Sequence, residues 1–264
     1  MLANLRQLFR YRGLIGSLVA RELKARYRGS VLGFFWSFIN PLLLLAIYSF
    51  IFTTIMPNRA EGLQPYALFL LCGILPWNWF STSLNEAAGS LMAGGNLIKK
   101  VLFPAEVLPI VAVVANMVHF FLALPIVLIV LLLYRHWPDP GGLVWFPVVV
   151  AIQLLFTTAL AMGLAALTVH FRDIRDILTN VLMLWFFTTP IIYFYDQKEV
   201  QPFKWLFNLN PFTHLAISYQ EILFFNGPFG HWKWLLVMGA VSLALFAVGY
   251  WLFDRLRDSF AEVV

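Results

Sequence analysis

The sequence predicts an all-α polytopic membrane protein: six transmembrane helices, an N-terminal amphipathic interface helix, and external re-entrant half-helices before the last span. Three observations carry that prediction. First, of 264 residues 61% are hydrophobic and 12% charged, with a mean hydropathy of +0.80, whereas a soluble domain carries about 25% charged residues. Second, uncharged runs recur at 29–58, 62–85, 107–134, 140–171, 177–195 and 234–253. A helix rises ~1.5 Å per residue, so ~20 residues cross a ~30 Å hydrocarbon core. Five runs meet that length and 177–195 falls one residue short. They are continuous rather than alternating, which excludes a transmembrane β-barrel. The first is too long for a cleavable signal peptide, and no small-residue cleavage site follows it.

The third observation is where the cations fall. With the N-terminus inside, the cytoplasmic segments 1–30, 91–106, 170–176 and 254–264 hold seven, two, two and two of the 18 Lys and Arg. The outer segments hold the other five, so both termini are expected on the cytoplasmic side. The net charge of +5 is thus a topology signal, and no nucleic-acid partner is expected. A single cysteine, Cys72, leaves no intramolecular disulfide and makes a thiolate metal cage improbable.

Residues 1–30 are too charged to span. Wound at ~100° per residue, Arg6, Arg10, Arg21, Lys24 and Arg28 share a sector of about 60°. Leu5, Leu8, Ile15, Leu18, Val19 and Leu23 lie mostly opposite. That is the pattern of an interfacial helix with its apolar face in the bilayer and its cations toward lipid phosphates or a partner. A topology anchor alone is the plainer alternative. Gly13 and Gly16 predict a break within it. Arg21, Lys24, Arg26 and Arg28 then run straight into the first span, 31–56, and no charge recurs until Arg59. Asn40-Pro41 predicts a kink there.

The second helix, 66–90, follows Pro65 and carries Pro76-Trp77-Asn78-Trp79, with Glu86 near its cytoplasmic end. Residues 94–104 form a cytoplasmic link. Asn96 caps a predicted helix of about two turns holding Leu97, Ile98, Lys99, Lys100, Val101, Leu102 and Phe103, and Pro104 ends it. Its apolar side needs cover, from the membrane surface or a groove on another protein.

Helices 107–133 and 144–169 contain Asn116, His119 and Gln153, which predicts that these polar groups face the bundle interior. His119 reads as a packed hydrogen-bond donor rather than a ligand. In the turn 170–177, Arg172 and Arg175 interleave with Asp173 and Asp176, so local salt bridges are expected rather than an acid–base or metal pair. The fifth helix, 177–195, contains Thr188-Thr189-Pro190 and ends in Tyr193-Phe194-Tyr195. Residues 196–232 are too apolar for a solvated loop, yet Pro211 and Gly227-Pro228 break them into pieces short of ~20 residues. Two re-entrant or interfacial half-helices forming an external gate fit that pattern. The sixth helix, 233–253, returns to a short charged tail.

Several chemistries are missing. No G-x-x-x-x-G-K-[ST] loop is present to cradle a nucleotide phosphate, and H-E-x-x-H is absent. The five histidines are scattered without metal-ligand spacing, so no metal site is expected. No serine matches His119 in depth as an intramembrane protease requires, and intramembrane carboxylates are too few for a proton-driven pump. No catalytic residue and no cofactor on this chain is expected. If the chain were instead a membrane-embedded enzyme acting on a lipid-linked sugar, Glu86, Glu106 and Glu221 would be its candidates.

Aromatic residues make up 17% of the chain. Interfacial anchoring explains Trp232 and Trp234; it explains Phe34, Phe35, Trp36, Phe38, Trp185, Phe186, Phe187 and Tyr193 less well. Aromatic faces stack on the C–H faces of sugar rings, which suits weak, repeated contact with a moving polymer. Lipid-facing filler is the alternative for each.

The stretch RELKARYRGSVLGFFWSFINPLL, residues 21–43, resembles the membrane subunits of ABC-2-type polysaccharide exporters, and the likeness extends along the chain. It looks most like the O-antigen branch, lacking the extended N-terminus of some teichoic-acid relatives, and an O-antigen-like cargo is the expectation. The resemblance implies a permease without ATP hydrolysis of its own, working as two copies with two copies of a P-loop ATPase, where ATP and Mg bind. It implies an undecaprenyl-diphosphate-linked polysaccharide as cargo, moving between the two membrane subunits. Asn96, Leu97, Ile98, Lys99, Lys100, Val101 and Phe103 would form the helix that couples to the ATPase. Arg21, Lys24, Arg26 and Arg28 would sit where the lipid-diphosphate headgroup and the ATPase arrive, each cation contributing about 1 kcal/mol toward an anionic surface. A drug or small-lipid permease of the same fold remains an alternative.

Overall fold

The computed structural model describes residues 10–29, 35–55, 63–99, 103–198, 200–225 and 228–263, and among these it is helical with no strand. The helices are α1 (Arg12–Tyr27), α2 (Trp36–Phe50), α3 (Tyr66–Ala93), α4 (Gly95–Ile98), α5 (Val107–Leu133), α6 (Pro140–Leu143), α7 (Phe146–His170), α8 (Ile174–Phe187), α9 (Lys204–Leu209), α10 (Pro211–Leu223) and α11 (Trp232–Val263). Four stretches of the described residues are long and apolar enough to cross a membrane: Tyr66–Ala93, Val107–Leu133, Pro140–His170 and Trp232–Phe260. Their alternating direction gathers residues 12–28, 94–99, 103–106, 170–176 and 254–263 at one end, called here the basic end, and residues 191–198, 200–225 and 228–231 at the far end.

α3 is the central helix. Nineteen of its residues are buried, among them Phe69, Trp77, Trp79 and Phe80, and it packs against α5 and α7. Gln153 of α7, fully buried, donates to the Pro76 carbonyl at 2.8 Å. The closest helix pair is α7 with α11. It crosses at small residues: a Cβ on Gly249 would lie under 3.0 Å from the Ala159 carbonyl oxygen, and Gly163 faces Gly249. Close backbone approach of this kind is how helices gain dispersion contact in lipid.

Several sequence expectations are corrected. α1 runs through Gly13 and Gly16 without a break, because its Leu18 and Val19 are held against Val107, Val111 and Ala115 of α5, packing that outweighs the glycine cost of about 1 kcal/mol each. Its apolar face therefore lies on protein as well as toward lipid. Arg6, Leu5 and Leu8 lie outside the described residues.

The predicted two-turn link helix is a single turn, Gly95–Ile98. Lys100, Val101 and Leu102 lie outside the described residues, as does Phe34.

The fifth helix stops at Phe187 instead of reaching 195. Thr189 donates its hydroxyl to the Trp185 carbonyl at 2.8 Å, Pro190 has no N–H to continue the ladder, and its preceding residue is pushed out of helical geometry. The resulting 14-residue helix is about 21 Å long, short of a ~30 Å core. The first predicted span is represented by the 15-residue α2 and a π-helical turn, Ile51–Ile55. The last helix is longer than predicted, carrying its charged tail to Val263.

Asp173 and Asp176 form no ion pair with Arg172 or Arg175 among the described residues; Arg175 instead lies over Gly89 of α3.

Candidate functional site

The basic end is built from α1, the inner halves of α3 and α5, the described link residues 94–99 and 103–106, and the last turns of α7 and α11. Arg26 of α1 turns inward, where its guanidinium donates to the Glu86 carboxylate of α3 and, at 3.0 Å, to Asn116 Oδ1 of α5. Asn116 Nδ2 donates to the same Glu86 oxygen at 2.7 Å and to the Ala112 carbonyl at 2.9 Å. Glu22 adds a second acid 3.6 Å from the Arg26 Nε. One turn outward, the Tyr27 hydroxyl meets His119 Nδ1 at 2.9 Å. These contacts fasten α1 to two long helices, and a cavity opens on each side of them. One, about 300 Å³, is lined by Trp36, Asn78, Thr82 and His119 among others. The second, about 380 Å³, has Arg21, Asn85, Ser90, Gly94, Leu97 and Arg175 on its walls.

The predicted headgroup cations thus divide. Arg21, Lys24 and Arg28 are exposed, whereas Arg26 is committed to Glu86. Lys24 and Arg28 also border a surface hollow with Leu23, Tyr27 and Leu122, which joins positive charge to apolar surface.

The link residues divide as well. Asn96 and Lys99 face outward. Leu97, Ile98 and Phe103 are half-buried against the chain's own Leu91, Ala105, Val169, Phe253 and Phe260. At these described residues, the apolar side expected to need a membrane or partner groove is partly covered from within. Phe103 also touches the α1–α5 contact.

The aromatic set separates in the same way. Trp185 and Phe186 belong to a cluster with Trp77, Phe80 and Phe212, in which Phe80 and Phe212 stand 4.7 Å apart and Trp77 meets Phe212 edge-on at 5.0 Å. Phe38 is half-buried, while Phe35, Trp36 and Phe187 are exposed. Tyr193 donates to the Phe187 carbonyl at 2.9 Å.

Sequence reasoning missed Asn210. Its Oδ1 accepts from the Trp185 indole at 2.6 Å and caps α10 at Phe212, while its Nδ2 donates to the Thr188 carbonyl and Thr189 hydroxyl. The signal was the pair Asn210-Pro211, an N-cap with proline at the first helical position.

At the far end, α10 is buried along nearly its whole length and carries a histidine pair. His214 Nε2 lies 3.1 Å from the Asn208 carbonyl and so must donate, leaving Nδ1 to accept from His231 Nε2 at 3.1 Å. Trp234 stacks on His214 with centroids 4.3 Å apart. Glu221 accepts from the Gly230 and His231 backbone N–H groups. Burial, and then the neighbouring His214, push His231 down to about 4. An unfolded histidine titrates near ~6.5. Between those values the unfolded chain holds a proton that the folded chain does not, so stability falls as pH falls. Melting in detergent is expected at a lower temperature at about pH 5 than at about pH 7, with His231→Gln shrinking the difference. An unchanged melt across that interval would contradict a neutral His231.

The three carboxylates named for an enzyme are each engaged structurally. Glu86 holds Arg26 and Asn116. Glu221 caps two backbone amides. Glu106, 3% exposed, has Arg257 Nη1 3.8 Å from its Oε2.

Comparison with known proteins matches residues 13–224 to the family model described as ABC-2 type transporter. The chain is 43% identical over 265 residues, covering all of both chains, to the O-antigen export system permease protein RfbA of Myxococcus xanthus. It is 33% identical over 251 residues, 95% of each chain, to the protein of that name in Klebsiella pneumoniae. To the polysialic acid transport protein KpsM of Escherichia coli it is 23% identical over 214 residues, 78% of this chain and 80% of the other.

Proposed function

The chain belongs to the ABC-2 type transporter family, and we propose that it exports an O-antigen-like, undecaprenyl-diphosphate-linked polysaccharide from the cytoplasm. It is a transmembrane subunit of an ABC polysaccharide exporter and a multi-pass protein of the inner membrane. The observation that carries the finer reading is the end-to-end likeness, at 43% identity, to a permease named for O-antigen export.

In this reading the basic end faces the cytoplasm and both termini lie there. The membrane is crossed six times. α2 with its π turn, and α8 prolonged by the non-helical stretch through the buried Ile191, complete the passages that helix length alone leaves short. α9 and α10 form a re-entrant gate segment on the outer side, where non-helical backbone is tolerated because it is buried in protein.

Energy comes from a separate P-loop ATPase, two copies with two copies of this chain, holding ATP and Mg. The ATPase meets the link at Asn96 and Lys99, its two exposed described residues. Lys24 and Arg28 receive the anionic diphosphate, with the apolar wall of their hollow accepting the start of the lipid. Arg21 stands beside the cavity that reaches the link. The exposed Phe35, Trp36 and Phe187 are the aromatics best placed to touch the polymer. The exposed apolar faces of α2 and α8, including Leu43, Ile47, Val181 and Leu184, lie toward lipid and the second copy.

The test is purification of the chain from its native membrane. An ATPase in equal stoichiometry is expected, and Asn96→Lys with Lys99→Glu is expected to release it while leaving the chain folded, since both side chains are exposed. A chain that purifies alone and turns over lipid-linked sugar would establish the enzyme instead.

A further inference from the structure

The last ten described residues of α11 were expected to be a charged tail, and they do something more specific. We infer that this extension is an internal brace that fixes the coupling link, with Arg257 and Phe260 as positioning residues for the transmission of motion from the ATPase to the bundle. The inference rests on the coupling role proposed for residues 94–104.

The extension projects past the apolar part of the helix and turns its own apolar side back onto the link. Phe260 is fully buried and meets Phe253 edge-on with centroids 5.2 Å apart. Together with Leu256 these residues share one contact cluster with Leu97, Ile98, Phe103, Ala105 and Leu91. That cluster therefore joins the end of α3, both sides of the link, α7 and the tail. His170 at the end of α7 pins the tail a second time, its Nε2 lying 3.0 Å from the Ser259 hydroxyl.

The polar component is independent of this packing. Glu106 precedes α5 at the exit of the link and is 3% exposed, yet its Oε2 has no hydrogen bond among the described residues. Arg257 Nη1, 3.8 Å away, is the cation that balances it. A buried carboxylate in this state is held by charge across a gap longer than a hydrogen bond. A small slide of the link against the tail would close that gap or widen it. The link is thus gripped on its apolar side by Phe260 and at its exit by Arg257. A push delivered at Asn96 and Lys99 then moves α3, α5 and α11 together instead of bending a free loop.

The experiment uses the chain with its co-purified ATPase in lipid vesicles. It compares bound ATPase, ATP hydrolysis and polysaccharide exported per ATP for Arg257→Gln, Phe260→Ala and Phe260→Leu. Arg257→Gln and Phe260→Ala are expected to keep the ATPase at full stoichiometry and hydrolysis within about twofold, while export per ATP falls about tenfold, or about 1.4 kcal/mol of coupling. Phe260→Leu, which refills most of the volume, is expected to recover most of the export. Export per ATP equal to that of the unaltered chain, once normalised to protein in the membrane, would overturn the brace. Release of the ATPase by Arg257→Gln would also overturn it, by making the tail part of the docking surface. If Phe260→Ala or Arg257→Gln fails to accumulate, Arg257→Gln combined with Glu106→Gln decides, because it removes the pair without leaving a buried charge. An unaltered chain that binds no ATPase would instead overturn the exporter reading on which the inference rests.

Discussion

Glu86→Ala is expected to destabilise the protein by about 3 kcal/mol, the lower edge of what removing one partner of a buried ion pair costs. The loss has three parts. Arg26, whose side chain is 21% exposed, is left without its main counter-charge. Asn116 loses the acceptor of one amide hydrogen. α1 is then held to α3 and α5 by its apolar contacts, the Tyr27–His119 pair and the Arg26–Asn116 hydrogen bond. Glu86 is itself 35% exposed, which keeps the figure below that of a sealed pair. In a chain of this length it corresponds to a melting point lower by roughly 5–10 °C. Glu86→Gln, whose amide oxygen still accepts from both neighbours, is expected to lose less. Arg26→Met with Glu86→Met is expected to recover much of the stability, since a well-packed apolar pair often replaces an ion pair at little cost. Thermal melts of the three proteins in one detergent check this. A Glu86→Ala chain that melts like the unaltered protein would show that the cluster does not hold α1.

The second large effect is expected at Gly249. A β-carbon there would stand under 3.0 Å from the Ala159 carbonyl oxygen, a backbone atom that cannot rotate away. Gly249→Val therefore has to part α7 from α11, at a cost of about 3 kcal/mol or more. Lipid offers no hydrophobic force to press the helices together again. The accumulated protein is expected to fall sharply. Because α11 carries Arg257 and Phe260, any protein that survives is expected to show poor coupling too. Gly239→Ala on the same helix is the control, its new Cβ meeting only the Ile152 side chain at 3.6 Å, and it is expected to behave as the unaltered chain. Quantifying folded protein by size-exclusion profile after mild extraction separates the two. Equal profiles would mean that the crossing adapts.

The long apolar helices were legible because their signal is local. Hydropathy over ~20 residues needs no knowledge of neighbours, and it located Val107–Leu133 and the start of Tyr66–Ala93 directly from residues such as Pro65 and Glu106. α8 was misread because the apolar run 177–195 is continuous while the backbone is not. Thr189 and Pro190 end the helix by hydrogen bonding and sterics to which a hydropathy sum is blind. The link was misjudged for a different reason. Its leucine, isoleucine and phenylalanine announced that they would be buried, but the surface that buries them lies about 150 residues away in Phe253 and Phe260. The spacing of Phe253, Leu256 and Phe260 was a helical stripe in plain view, hidden by the charges interleaved with it.

The sequence by itself determined that this is an integral membrane protein of helices, with its cations gathered in particular connections and a family likeness carried by the run from Arg21 to Leu43. Those properties depend on composition and short-range order, which each residue carries wherever the chain goes. Only the tertiary structure decided how chemically alike residues divide their roles. Arg26 turns inward to Glu86 while Arg21, Lys24 and Arg28 stay exposed. Trp185 is packed while Phe187 is bare, and Glu106 is buried opposite Arg257. Identical side chains are told apart by what lies across from them, and in a bundle the facing residue comes from a helix remote in sequence.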